Sequence, residues 1–113
     1  MLRALSNNER LFLLIDQKMN DGIPVPFFGR DAMTAPAVGR LALAYACPVV
    51  MARVERLNGA RFRVTVSPPL EFKLSGEKEA DTLAIMKQVN QEIEGWIRER
   101  PDQWLWLHNR WPD

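Results

Sequence analysis

Asp16 closes the apolar run LFLLID, Leu11 to Asp16. A carboxylate at the end of a buried run must be paired or must face a cleft, because an isolated buried charge is costly. The next stretch with chemical potential is IPVPFFGRD, in which Phe27 and Phe28 stand beside Gly29 and Arg30. A guanidinium has the fork geometry for carboxylate or phosphate oxygens, and two adjacent rings on a backbone stiffened by prolines can line an apolar chain. Each of these residues also has a plainer reading. Asp16 fits a turn or helix cap, both rings fit the lid of a core, and Arg30 and Lys18 fit solvated surface charges. His108 is the single histidine, a residue type whose ordinary pKa near about 6.5 suits proton transfer at neutral pH. Cys47, alone in LALAYACPVVMA, reads as a small core residue and cannot form an intrachain disulfide, which suits a reducing compartment. The chain has no CxxC, HExxH, G-x-S-x-G or phosphate-cradling glycine loop, so no metal and no cofactor is expected.

The elements that would carry these residues follow from the patterning. The run LFLLID has the look of a strand buried on both faces, which would put Asp16 and Gln17 at its C-terminal end, where open α/β sheets place their crevices. A loop from Lys18 to Thr34 is expected to follow, and then a short helix over 35–46 with Thr34 as N-cap and Pro36 near the first turn. Two valine-rich runs flank Asn58-Gly59, the strongest short hairpin signal, and in the second Phe62, Val64 and Val66 alternate with Arg61, Arg63 and Thr65. From Glu79 to Arg100 an apolar stripe of Leu83, Met86, Val89, Ile93, Trp96 and Ile97 marks an amphipathic helix closed by Pro101. The order β, α, β, β, α is that of an α/β protein with a mixed sheet and helices packed on it.

The bulk properties narrow the function classes. A chain of 113 residues is the size of one domain. With 15 Lys plus Arg against 14 Asp plus Glu, the net charge of +1 provides no field to hold a nucleic acid. The longest apolar run, Leu41 to Ala52, is broken by Pro48 and is far shorter than the roughly 20 residues of a membrane helix. The N-terminal apolar run leads into Asp16 rather than a cleavage site, so it does not read as a signal peptide.

Four blocks in order, LLIDQ, VPFFGRDAMTAPA, CPVVMARVERLNGARFRVTV and WIRERPDQWLWLHNRW, resemble the C-terminal part of the late acyltransferases of lipid A biosynthesis, the lauroyl and myristoyl transferases of the lysophospholipid acyltransferase superfamily. The resemblance covers nearly the whole chain. It implies a single partial domain over 1–113, the C-terminal part of a glycerolipid-acyltransferase-like fold. It also implies an activity: transfer of a fatty acyl chain from acyl carrier protein to a hydroxyl of a lipid A precursor, on the cytoplasmic face of the inner membrane, with peripheral attachment to the membrane surface.

In that family the base is the histidine of an H-x4-D/E motif lying upstream of the DQ strand. HNRWPD places Asp113 five residues after His108, but with 14 acids in 113 residues such a match arises by chance about one time in eight. The family carries a separate WLH tail at this place, so His108 is assigned a structural or peripheral role. No general base is therefore assigned within the chain, and it is expected to be inactive alone. The resemblance puts Asp16 on the active-site side as a supporting residue, with Phe27, Phe28, Gly29 and Arg30 against the substrate. The tail holds Trp104, Trp106 and Trp111 with Arg98, Arg100 and Arg110 nearby. It is expected to dock on the fold, with a membrane-interface role as the alternative. The rival for the whole chain is a non-catalytic lipid- or partner-binding module.

Overall fold

The computed structural model describes residues 6–16, 18–104 and 109–112. Strand β1 (Ile23–Phe27) pairs antiparallel with β2 (Arg30–Thr34), helix α1 (Ala37–Tyr45) follows, β3 (Ala52–Arg56) pairs antiparallel with β4 (Phe62–Val66), and the long helix α2 (Lys78–Glu99) leads into a 3-10 turn at Pro101–Gln103. The α/β class and the packed helices agree with the sequence reading. Among the described residues the strands are divided between two separate hairpins.

Residues 11–16 do not form the expected strand. The segment has no regular structure, Phe12 and Leu14 are 90% and 85% exposed, and Ile15 alone of its apolar side chains packs on the core cluster. A strand needs a neighbour to take its backbone groups, and no described segment lies beside this one as a ladder.

The expected loop over 18–34 is instead the β1–β2 hairpin. Prolines argue against a strand because they lack a donor, yet Pro24 and Pro26 are two residues apart and so fall on the same alternation, opposite Met33 and Asp31. On that alternation the N–H groups point away from the partner strand. The outward N–H of Met33 is accordingly taken by the carbonyl of Arg110, at 2.9 Å. Phe28 and Gly29 close the hairpin with φ of 53° and 75°, the two positive values that a tight two-residue connection requires.

Helix α1 starts later than its sequence suggests. Thr34 ends β2 instead of capping the helix, and Pro36 occupies the N-cap with no side-chain bond. The Thr34 hydroxyl is engaged elsewhere, as described below. The β3–β4 turn lies at Asn58-Gly59 as expected, with the N–H of Arg61 donating to Asn58 at 3.0 Å and Gly59 at φ 59°. Its apolar alternation is present but uncovered: Val54, Phe62, Val64 and Val66 are all exposed, Val64 to 64%.

In α2 the buried apolar residues are Ile85, Met86, Val89, Ile93 and Ile97, with Asn90 among them. Leu83, expected in the stripe, is 42% exposed, and Ile85 takes its place. The stripe packs on Val25, Phe27 and Ala32 of the first hairpin and on Met51. The second hairpin is tied to the end of α2 by polar contacts. Glu55 is buried between Arg53 and Arg100, at 3.5 Å and 3.6 Å, Arg53 also meets Glu99 at 2.8 Å, and the Gln103 amide exchanges two hydrogen bonds with the backbone of Arg56.

Candidate functional site

The β1–β2 turn presents Phe28, Gly29 and Arg30 at the tip of a hairpin whose inner face is core. Phe27 is 0% exposed, so its ring lies beneath the surface and supports the tip. The Phe28 ring is half-buried, edge-on to Phe27 at 4.8 Å between centroids, and the Arg98 guanidinium lies over it at 4.7 Å. A phenylalanine at positive φ is strained, and this one is held by its backbone N–H, which donates to Glu94 Oε1 of α2 at 2.6 Å. Gly29 and Arg30 are exposed, and Arg30 donates to the carbonyl of Pro112 at 2.8 Å.

Residues 109–112 lie along this hairpin as a strap. Besides the Met33 bond to Arg110, the Trp111 indole donates to the carbonyl of Phe27 at 3.0 Å, and its ring stacks on Phe27 at 5.6 Å. Residues 109–112 are thus docked, as expected of the tail. Arg110 is corrected as a headgroup-facing residue: its side chain is 2% exposed. It lies over the Phe27 ring at 4.6 Å and donates to Thr34 Oγ1 at 3.1 Å. Asn90 donates to the same hydroxyl at 3.2 Å, and the hydroxyl donates to the carbonyl of Ala32 at 3.1 Å. Arg100 serves the Glu55 cluster and Arg98 covers Phe28, while Trp106 and His108 lie outside the described residues.

Asp16 is exposed, and its charge reaches Arg110. Burial pulls the Arg110 guanidinium below its ordinary pKa, and the negative charge of Asp16 opposes that pull. The structure brings Phe28, Gly29 and Arg30 together at the hairpin tip, while Asp16 lies exposed on the irregular segment that precedes β1. Lys18 is half-buried.

Sequence reasoning missed Thr34, Asn90 and the burial of Arg110. Asn90 had a usable signal, since it lies four residues after Met86 on the buried face, where a polar residue needs a partner. Arg110 had none, because its burial depends on a tail returning to a hairpin 76 residues away.

Among the described residues no group of three His, Cys, Asp or Glu could hold a metal ion, and no helix is long and apolar enough to cross a membrane. The architecture defined by these contacts is an α/β unit whose PFFGR turn is exposed at Gly29 and Arg30 and braced from below by Phe27.

A family model for bacterial lipid A biosynthesis acyltransferases matches residues 1–113, and the chain belongs to that family. It is 35% identical over 89 residues to the lipid A biosynthesis myristoyltransferase of Escherichia coli (strain K12), an alignment covering 74% of this chain and 25% of that protein. It is likewise 35% identical over 89 residues to lipid A biosynthesis acyltransferase 1 of Shigella flexneri, with the same coverage. The chain spans about a quarter of the length of these relatives. No solved structure matches it.

Proposed function

We propose that this chain is the partial domain of an acyltransferase that forms the substrate-facing wall of its cleft, in a reaction that moves a fatty acyl group from acyl carrier protein to a hydroxyl of a lipid A precursor. The hydroxyl oxygen forms the new ester bond to the acyl carbon, the thioester C–S bond breaks, and the hydroxyl proton passes through a base of the H-x4-D/E type to the departing thiol. In this reading Phe28 and Gly29 contact the acyl chain, Arg30 meets an anionic group of the acceptor, and Asp16 supports the polar end. Phe27 acts from beneath by fixing the turn. The reaction takes place at the cytoplasmic face of the inner membrane, to which the protein is peripheral.

The observation that carries this reading is the braced turn itself. A half-buried phenylalanine is held at positive φ next to an exposed Gly29 and Arg30, and backbone strain of that kind is kept where the surroundings over-determine it, commonly at binding sites.

The test is acyl transfer from acyl carrier protein to lipid A precursor. It is run on the chain alone, on its His108→Ala variant, and on the chain joined to an upstream segment with the H-x4-D/E motif from a relative. We expect no transfer by the chain alone, no effect of His108→Ala, and transfer by the joined form. There Asp16→Asn lowers turnover by about 100-fold, within the range typical of acid–base groups, while a cooperative melt is retained, and Phe28→Ala changes acyl-chain preference. A joined form whose turnover and chain preference ignore both substitutions overturns the assignment. Binding of the precursor by every form, with transfer by none, identifies a lipid-binding module instead.

A further inference from the structure

Helix α2 presents a polar row to the first hairpin. Asn90, Glu94 and Arg98 are spaced four residues apart, so they share one side of the helix, and each contacts β1 or its turn. Asn90 donates to the carbonyl of Pro26 at 3.4 Å, Glu94 Oε1 accepts from the N–H of Phe28 at 2.6 Å, and the Arg98 guanidinium lies over the Phe28 ring at 4.7 Å. Pro26 lies on the alternation of β1 whose backbone groups point away from β2, and Phe28 continues that alternation into the turn. The helix thus takes up polar groups that the hairpin cannot pair within itself, and such groups are costly when covered and left open.

Phe28 is the residue of this turn that needs holding. Gly29 takes its φ of 75° at no steric cost, whereas a phenylalanine at 53° is strained and persists only where its surroundings over-determine it. Three contacts do so here. The backbone is fixed by Glu94, and the ring is fixed by Phe27, edge-on at 4.8 Å, and by Arg98 on its face. The Glu94 bond is the one that acts on the strained backbone itself. At 2.6 Å it is short even for a bond to a charged acceptor, which usually spans about 2.7–2.9 Å. The helix beneath it is anchored, since Ile93 and Ile97 are buried in the core at 2% and 5% exposure.

We propose that Glu94 is a positioning residue that sets acyl-chain selectivity: by holding the Phe28 N–H it fixes the turn, and a Phe28 ring that cannot swing determines how long a fatty acyl chain can lie against it. The selectivity rests on the proposed function above. The hold on the turn does not.

Two measurements test it. On the chain, NMR follows exchange of the Phe28 amide with water. Exchange should quicken at least about tenfold in Glu94→Ala, as for loss of a bond to a charged group, and stay within about threefold of the parent in Glu94→Gln, whose side-chain carbonyl still accepts. It should be unchanged in Glu92→Ala, which removes an exposed acid of the same helix. On the joined form, the ratio of kcat/KM for dodecanoyl and tetradecanoyl acyl carrier protein should change about tenfold in Glu94→Ala, the scale on which an apolar pocket senses a methylene or two, and should return in Glu94→Gln. Should Glu94→Ala fail to fold, Glu94→Asp, one methylene too short to keep the 2.6 Å bond, replaces it in both measurements. A residue that only stabilises the fold would lower the melting temperature and leave the ratio unmoved. An unchanged exchange rate in Glu94→Ala, or a ratio that Phe28→Ala moves and Glu94→Ala does not, overturns the proposal. A ratio that ignores Phe28→Ala as well overturns the acyl-contact reading and the selectivity with it, while faster amide exchange in Glu94→Ala would still uphold the hold on the turn, so the two failures are separable.

Discussion

Trp111 is the point at which the strap can be loosened in steps. Trp111→Phe keeps a ring to stack on Phe27 but removes the indole N–H that donates to the Phe27 carbonyl at 3.0 Å. A typical net hydrogen bond contributes about 1 kcal/mol, so the unfolding constant should rise about fivefold. Trp111→Ala also removes the stacked ring and uncovers one side of Phe27. Truncating a fully buried large aromatic costs about 3–5 kcal/mol, and Trp111 is half-buried, so about 2 kcal/mol is added and the total is near 3 kcal/mol. For a chain of this size 1 kcal/mol corresponds to about 4 °C in Tm. The melt followed by far-UV circular dichroism should therefore fall by about 4 °C in Trp111→Phe and about 12 °C in Trp111→Ala. A Trp111→Ala variant that melts within about 2 °C of the parent would refute the claim that the tail holds the hairpin.

Gly22→Ala should destabilise the chain by about 1–3 kcal/mol, because the added Cβ would meet the Thr34 backbone carbonyl too closely, and Thr34 cannot move without disturbing its contacts to Asn90 and Arg110; urea unfolding measures it, and a neutral effect refutes the close approach. The Asp81 carboxylate accepts from the backbone N–H and hydroxyl of Ser75 and from the N–H of Gly76, and chiefly the Ser75 backbone bond holds its pKa below the ordinary 3.8. With the folded value depressed, its contribution is complete above the unfolded value and is lost as pH falls through the folded one, so Asp81→Asn should lower stability at neutral pH and flatten the loss below about pH 4; an unchanged acid limb counts against it. The uncovered face formed by Val54, Phe62, Val64 and Val66 should drive association of the isolated chain, and Val64→Lys should shift sedimentation toward monomer; a parent that is already monodisperse would refute this.

Local patterns were informative where an element's own residues decide its structure. The 3.6-residue period marked α2 to within a residue at each end, and Asn58-Gly59 marked the turn between β3 and β4. The first hairpin was illegible for two physical reasons. Its prolines suggested a loop, although their spacing places both on the alternation that needs no donor toward the partner strand, and its turn uses Phe28-Gly29 rather than the Asn-Gly pair that usually supplies two positive φ values. The run LFLLID misled in the opposite direction. Its hydrophobicity is that of a buried strand, yet burial requires a covering surface, and among the described residues Phe12 and Leu14 have none.

The site residues divide along the same line. Asp16, Phe28, Gly29 and Arg30 could be named as candidates because their chemistry is written in their types and in a short motif. Thr34, Asn90 and Arg110 were not, because each looks ordinary in its own window: a strand-ending threonine, a helical asparagine, a tail arginine. What makes them a unit is one hydroxyl, Thr34 Oγ1, that accepts from residues 56 and 76 positions away in sequence. Such a junction is costly when incomplete, since each buried donor left open forfeits the water it had in the unfolded chain. The open donors of Arg110 are thus the most informative feature of the structure. They mark the junction where the β1–β2 hairpin, helix α2 and the returning tail meet on one buried hydroxyl.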